Sequence, residues 1–378
     1  MVLACTIVTP FVDAQVVVAN VKVGEGPTAV AYDSAKGEIF VVNVGSNTTS
    51  VISDDSNEVV ATVAVGSYPN GVAYDSSKGE IFAANDNQGN GTVSVISDTS
   101  DKVVATIAVG SDPNGVAYDS SRGEVFVANY FSDDVSVISD SSNKVVANVS
   151  VGGHPVGLAY DSARGEIFVT NYYYGTVSVI SDSSNKVVAN VTVGHDPIAA
   201  AYDPARGEVF VANFYSSSVS VISDSSNKVV ANVTVGPHPD GLAYDPARGE
   251  VFVTSNDDSG DLSAISDSNN QVVANATVGT GLYGIAYDSV KGELFATNYT
   301  PDTVSVMSDV LSSATVTAIS ASTTIYSSTT TGSSSVVTST QGHQAVGLYL
   351  LIFGATGAGV AIVAIGAWIL KDRTRRTP

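Results

Sequence analysis

The tripeptide Ala-Tyr-Asp occurs seven times, with its tyrosines at Tyr32, Tyr74, Tyr118, Tyr160, Tyr202, Tyr244 and Tyr287, spaced by 42 to 44 residues. A chain built this way must stack or close seven copies of one small unit, because no single copy buries its own apolar face. The fifth copy shows the unit cleanly: IAAAYD, a turn at PARG, EVFVAN, a loop at FYSS, SVSVISD, a turn at SSNK, then VVANVTVG. Val, Ile, Phe and Thr fill four stretches of strand length, and Gly, Pro, Asn and Asp punctuate them. No part of the repeat has helical periodicity. Four short strands per unit, repeated seven times, predict an all-β fold, a seven-bladed β-propeller with four-stranded blades.

Counting strands predicts how the ring shuts. The chain enters with a strand resembling VVANVTVG at 16–23, ahead of its first Ala-Tyr-Asp, and the seventh copy stops after its third strand, TVSVMSD. The N-terminal strand then completes the last blade, giving 28 strands in seven sets of four and leaving no free sheet edge. The rival register closes the ring with 314–319, a poor match to VVANVTVG. Second strands such as 208–213 are apolar on both faces, as expected between neighbouring blades. Fourth strands alternate: Val187, Ala189, Val191 and Val193 share one face and Val188, Asn190 and Thr192 the other, the pattern of an outer rim.

The flanks differ from this body. Residues 345–370, AVGLYLLIFGATGAGVAIVAIGAWIL, are 26 positions without a charge, enough for a helix across a membrane. Tyr349 and Trp368 fall near its ends, and the basic KDRTRR at 371–376 follows on one side, which predicts a single-pass protein with a cytoplasmic tail at 371–378 and the propeller, 15–309, outside. Between body and span, 311–341 holds 19 Ser or Thr and no charge, the composition of an extended stalk (310–344). Residues 1–14 read as a signal-peptide remnant, although they lack the basic start such peptides carry. The net charge is −21, and without the last eight residues 12 basic residues face 36 acidic ones, a surface that repels phosphate backbones. Nucleic acid is therefore excluded as a partner, and one cysteine excludes a disulfide framework.

Ile167-Phe168-Val169-Thr170-Asn171, followed by Gly175-Thr176-Val177-Ser178-Val179-Ile180, resembles the YVTN-type β-propeller repeat of archaeal surface-layer and related cell-surface proteins, with Phe in place of the leading Tyr. The resemblance covers about 15–309 and recurs in every copy, most weakly in the sixth, where Ser255 stands in place of Asn. It implies an exposed propeller on an archaeal envelope.

Several residues are candidates for chemistry. His154, His195 and His238 sit in corresponding loops of three adjacent copies and are candidate ligands of a metal at the channel mouth. The loop 256–261, NDDSGD, has the oxygen ligands and turn glycine of part of a Ca2+ loop but lacks the downstream Glu. N-x-Ser/Thr sequons at Asn47, Asn90, Asn148, Asn190, Asn232, Asn275 and Asn298 are candidate N-glycosylation sites, four of them at one strand position. The loops between second and third strands are where copies differ. Tyr130, Phe131, Tyr172, Tyr173, Tyr174, Phe214, Tyr215 and Tyr299 make them the expected contact surface for other envelope proteins or glycans.

Two function classes follow. The first is a membrane-anchored cell-surface module that is structural, adhesive or protein/glycan-binding, within or beside a surface layer. The second is an extracellular propeller enzyme, lactonase-like or quinoprotein-like, with its site in the channel. No nucleophile with a base partner, phosphate loop or cofactor motif is present, and near-identity of copies three to six opposes the asymmetric convergence that catalysis needs. A non-enzymatic module is the expectation, with no catalytic or cofactor-binding residue assigned.

Overall fold

A computed structural model describes residues 16–308, 346–352 and 363–369. Over 16–308 the chain forms seven four-stranded antiparallel sheets. Blades one to six are 27–64, 69–108, 113–150, 155–192, 197–234 and 239–277. Blade seven is 282–308 joined by the closing strand Val16–Lys22. First strands of successive blades lie side by side, and that of blade seven lies beside that of blade one, so the ring is closed.

The closing strand pairs with Thr303–Ser308, from Val16 opposite Ser308 to Lys22 opposite Thr303. It reproduces the bulge that third and fourth strands share in the other blades, with Val18 as its extra residue. Ser305 Oγ donates to Asn20 Oδ1 at 3.0 Å, as Ser178 does to Asn190 in blade four. The ion pair Lys22–Asp302, at 3.1 Å, adds a contact at the seam. The expectation of N-terminal closure is met, and the rival closing segment 314–319 lies outside the described residues.

The hydrophobic core is seven slabs between blades. Each slab takes the central Phe of one second strand, such as Phe210, with third-strand valines, and packs them on the second and third strands of the next blade, such as Val251, Val253 and Ile265. Phe40, Phe82, Phe126, Phe168, Phe210, Phe252 and Phe295 are all fully buried, which is why second strands are apolar on both faces. The slab between blades seven and one includes Val21 of the closing strand and otherwise matches the rest. Fourth strands alternate as expected, with Val188, Asn190 and Thr192 outward.

Two recurrent polar contacts explain motif residues. The last residue of each first strand, such as Asp203, is buried and accepts the N–H groups of Ala205 and Arg206 at 2.8 and 3.2 Å, fixing the turn. The tyrosine beside it faces the aspartate of the preceding blade. Burial, then the carboxylate of Asp161, drives the Tyr202 phenol well above its ordinary range. The Asn ending the second strand of every blade but the sixth is buried too: Asn171 Nδ2 donates to Thr176 Oγ1 and Ser178 Oγ, both at 3.0 Å. A side chain on Gly152 would strike it, at 2.5 Å, so this glycine is required for close approach.

Apart from the propeller, Val346–Ile352 and Val363–Ile369 are two antiparallel strands. One helix is the sequence expectation for 345–370. No helix among the described residues is long and apolar enough to cross a membrane. Val, Ile, Tyr and Trp across the two segments are strong strand formers, and pairing satisfies the backbone groups along their facing edges. The expected leader 1–14, stalk 310–344 and tail 371–378 lie outside the described residues.

Candidate functional site

The loops entering first strands and those joining second to third strands share one face of the ring, here the upper face. In every blade they are tied together by one backbone hydrogen bond, for example from Tyr172 N–H to the His154 carbonyl at 2.9 Å. The residue before each first strand holds a left-handed backbone: Gly26 and Gly281, but also Tyr68, Asp112, His154, Asp196 and His238 with φ of 49 to 57°. Holding a non-glycine residue there costs on the order of 1 kcal/mol each.

That backbone turns His154 and His238 onto aromatic rings of the preceding blade. His154 stacks on Tyr130 with centroids 4.3 Å apart, and His238 on Phe214 at 4.7 Å. His195 precedes the left-handed position, and its N–H is held by Ser216 Oγ at 2.7 Å. The three histidines therefore do not occupy equivalent places. Among the described residues no group of three or more His, Cys, Asp or Glu is arranged to hold a metal ion. In the loop 256–261, Asp257 accepts from Ser259 N–H within the loop, and Asp261 accepts from Thr277 Oγ1 at the end of the adjoining fourth strand.

The aromatic candidates gather as expected. Tyr130, Phe131, His154, Tyr172, Tyr173 and Tyr174 form a chain of ring contacts across blades three and four. Phe214, Tyr215 and His238 form a second cluster on blades five and six, and Tyr299 contacts Tyr283 at 5.1 Å. Phe131, Tyr173, Tyr174 and Tyr215 are 63 to 67% exposed and Tyr299 40%, so these rings are only partly used in packing. Tyr172 and Phe214 turn inward and line the central channel, a cavity of about 490 Å³.

The channel wall is the part that sequence reading missed. The second residue of each first strand lines it: Thr28, Asn70, Asn114, Val156, Ile198, Asp240 and Tyr283 around the ring. The next residue is Gly or Ala throughout. A Cβ on Gly115 would lie 2.3 Å from the Val156 carbonyl oxygen, because adjacent first strands crowd at the axis. The copies are nearly identical in strands two to four, yet this ring is polar on blades one to three, apolar on four and five, and acidic at six. Asp240 is half-buried in the channel wall, and Asn256 Nδ2 donates to its Oδ2 at 2.9 Å. Burial pushes the Asp240 carboxyl up to about 6, with the Asn256 bond pulling the other way. Blade six supplies Asn256 for this contact, and Ser255 beside it replaces the usual anchoring Asn. A residue that varies in almost every copy at a fixed place after the loop was the available signal.

Of the sequons, Asn47, Asn90, Asn148, Asn190, Asn232 and Asn275 are exposed. Asn298 differs from the other six: it is 1% exposed, and its Nδ2 donates to Thr303 Oγ1 and Ser305 Oγ at 3.2 and 3.0 Å. It is the blade-seven copy of the buried Asn anchor, so the folded protein does not offer it to a glycosyl donor.

The sheet order, closure and channel define a seven-bladed β-propeller, a fold suited to a binding or structural module. Among solved structures, the chain is similar to hydrazine synthase of Kuenenia stuttgartiensis, with a TM-score of 0.66 and 16% sequence identity over 74% of this chain and 95% of that one. At that identity the likeness is one of fold. No family model matches the sequence, and no curated protein matches it.

Proposed function

We propose that this protein is a non-enzymatic recognition module of the cell surface, adhesive or structural, and that the aromatic upper face of the propeller is its contact surface for other envelope proteins or glycans. One observation carries the reading: the upper-face loops of several blades carry exposed aromatic rings, among them Phe131, Tyr173, Tyr174, Tyr215 and Tyr299, on a scaffold whose second to fourth strands are nearly alike. Tyrosine-rich surfaces supply large, rigid contact area at low entropic cost.

Its placement at the cell surface rests on the sequence. The 26 uncharged residues at 345–370, the basic run after them and the Ser/Thr-rich segment before them support a single-pass anchor with the propeller outside. In a bilayer the backbone of such a segment is satisfied internally by a helix. The resemblance to YVTN-type repeats supports an archaeal envelope and an association with a surface layer.

The test replaces Tyr172, Tyr173 and Tyr174 together with Ser in the full chain and measures co-sedimentation with isolated cell envelopes. The expected outcome is a loss of binding of tenfold or more, the scale of losing two or three aromatic contacts of about 1 kcal/mol each. Unchanged co-sedimentation contradicts the assignment.

A further inference from the structure

We infer that the channel is a binding site for an organic cation, an ammonium or guanidinium group held against Asp240 between the rings of Tyr283 and Phe214. Three independent observations carry this, and none depends on the envelope contact proposed above.

The first is the missing counter-charge. Asp240 opens on a cavity of about 490 Å³ whose lining, among the described residues, contains no Lys, Arg or His. Its one protein hydrogen bond among the described residues is the neutral amide of Asn256, on Oδ2. A half-buried carboxylate without a cationic partner is only partly compensated by water, and a ligand that brings the positive charge reduces that cost.

The second is the wall. Tyr172, Phe214 and Tyr283 line the same cavity, and aromatic faces attract cations. In a seven-membered ring blade six lies across from blades two and three, which places the side-chain amides of Asn70 and Asn114 opposite Asp240 for the remainder of a ligand. The cavity volume is that of a small-molecule site. A metal ion fits less well, since one carboxylate is the whole set of acidic ligands here.

The third is the field at the entrance. Residues 16–308 contain twelve Lys and Arg, and all but Lys22 sit at the turns of the lower face or at the start of fourth strands beside it. The upper loops carry Asp86, Asp112, Asp133, Asp196, Asp257 and Asp302. Charges separated in this way draw cations to the channel mouth.

The ammonium group comes either as a free small molecule or as the tip of a Lys side chain on a partner protein. Calorimetric titration of the full chain in detergent separates the two sources. The probes are 1,5-diaminopentane, the tripeptide acetyl-Gly-Lys-Gly-amide, the neutral isostere 1,5-pentanediol and N-acetylglucosamine. Either cation is expected to bind at least about tenfold more tightly than both neutral probes. Preference for the diamine identifies a free-cation site, and preference for the tripeptide a side-chain site. Asp240→Asn, which keeps the shape and an acceptor for Asn256, is expected to remove this difference while unfolding remains cooperative. Tyr283→Leu, leaving the carboxylate in place, is expected to weaken cation binding several-fold. Equal affinity for diamine and diol, tighter binding of N-acetylglucosamine, no cation binding at millimolar concentration, or full cation affinity in Asp240→Asn each overturns the inference.

Discussion

Asp240 is the residue at which fold and function pull apart. Its raised carboxyl, at about 6, means that the folded state holds the proton more tightly than the unfolded chain does. The sign follows: at pH 4 the group costs the fold little, and as pH rises through 6 ionisation destabilises it. Asp240→Asn is therefore expected to raise stability at pH 7 by about 1 to 2 kcal/mol, less than the full shift implies because channel water screens the charge. That gain should shrink toward zero near pH 4, as measured by denaturant unfolding at both values. An equal gain at both pH values contradicts burial of the ionised form. The sequence marked this position only by its variation from copy to copy, because inward-pointing positions of a first strand cannot be told from outward ones without the ring. Asn171 and its counterparts were legible as a motif, but their role, tying the end of one strand to hydroxyls of the next, appears only once the strands are paired.

At the scale of elements, the closing strand decides whether the ring holds. Deleting residues 1–22 strips the partner from Thr303–Ser308, exposes that edge and removes Val21 from its slab. The shortened protein is expected to lose cooperative thermal unfolding and to aggregate, observed by calorimetry and light scattering; unchanged unfolding means that another segment closes the blade. Strand number, closure and the outward face of fourth strands were all readable, because period-two alternation and the offset between first and last copies are local properties of the sequence. The same outward face bears Asn148, Asn190, Asn232 and Asn275, whose sequon partners at i+2 are exposed beside them. Intact-mass and peptide mapping of native protein are expected to find glycan among these four and none on Asn298. Glycan on Asn298 would show that modification precedes folding of blade seven. Segment 345–370 was read by length and hydropathy alone, and a run rich in Val, Ile and Gly satisfies either a helix in lipid or paired strands outside it.

Across the whole molecule, sevenfold repetition makes seven equivalent core slabs and one upper face on which the copies diverge. Near-identity of the blades argues for a scaffold, and it holds for strands two to four. It fails at the channel ring and in the aromatic loops, the two places where a ligand meets the protein. The most direct measurement is hydrogen exchange of the full-length protein with and without isolated envelopes, read by mass spectrometry. Slowed exchange confined to the loops at 130–134, 172–175, 214–217 and 299–302 is the predicted result. Protection of the outer fourth strands or of the lower turns instead, with these loops unchanged, would contradict the assignment of the aromatic face as the contact surface.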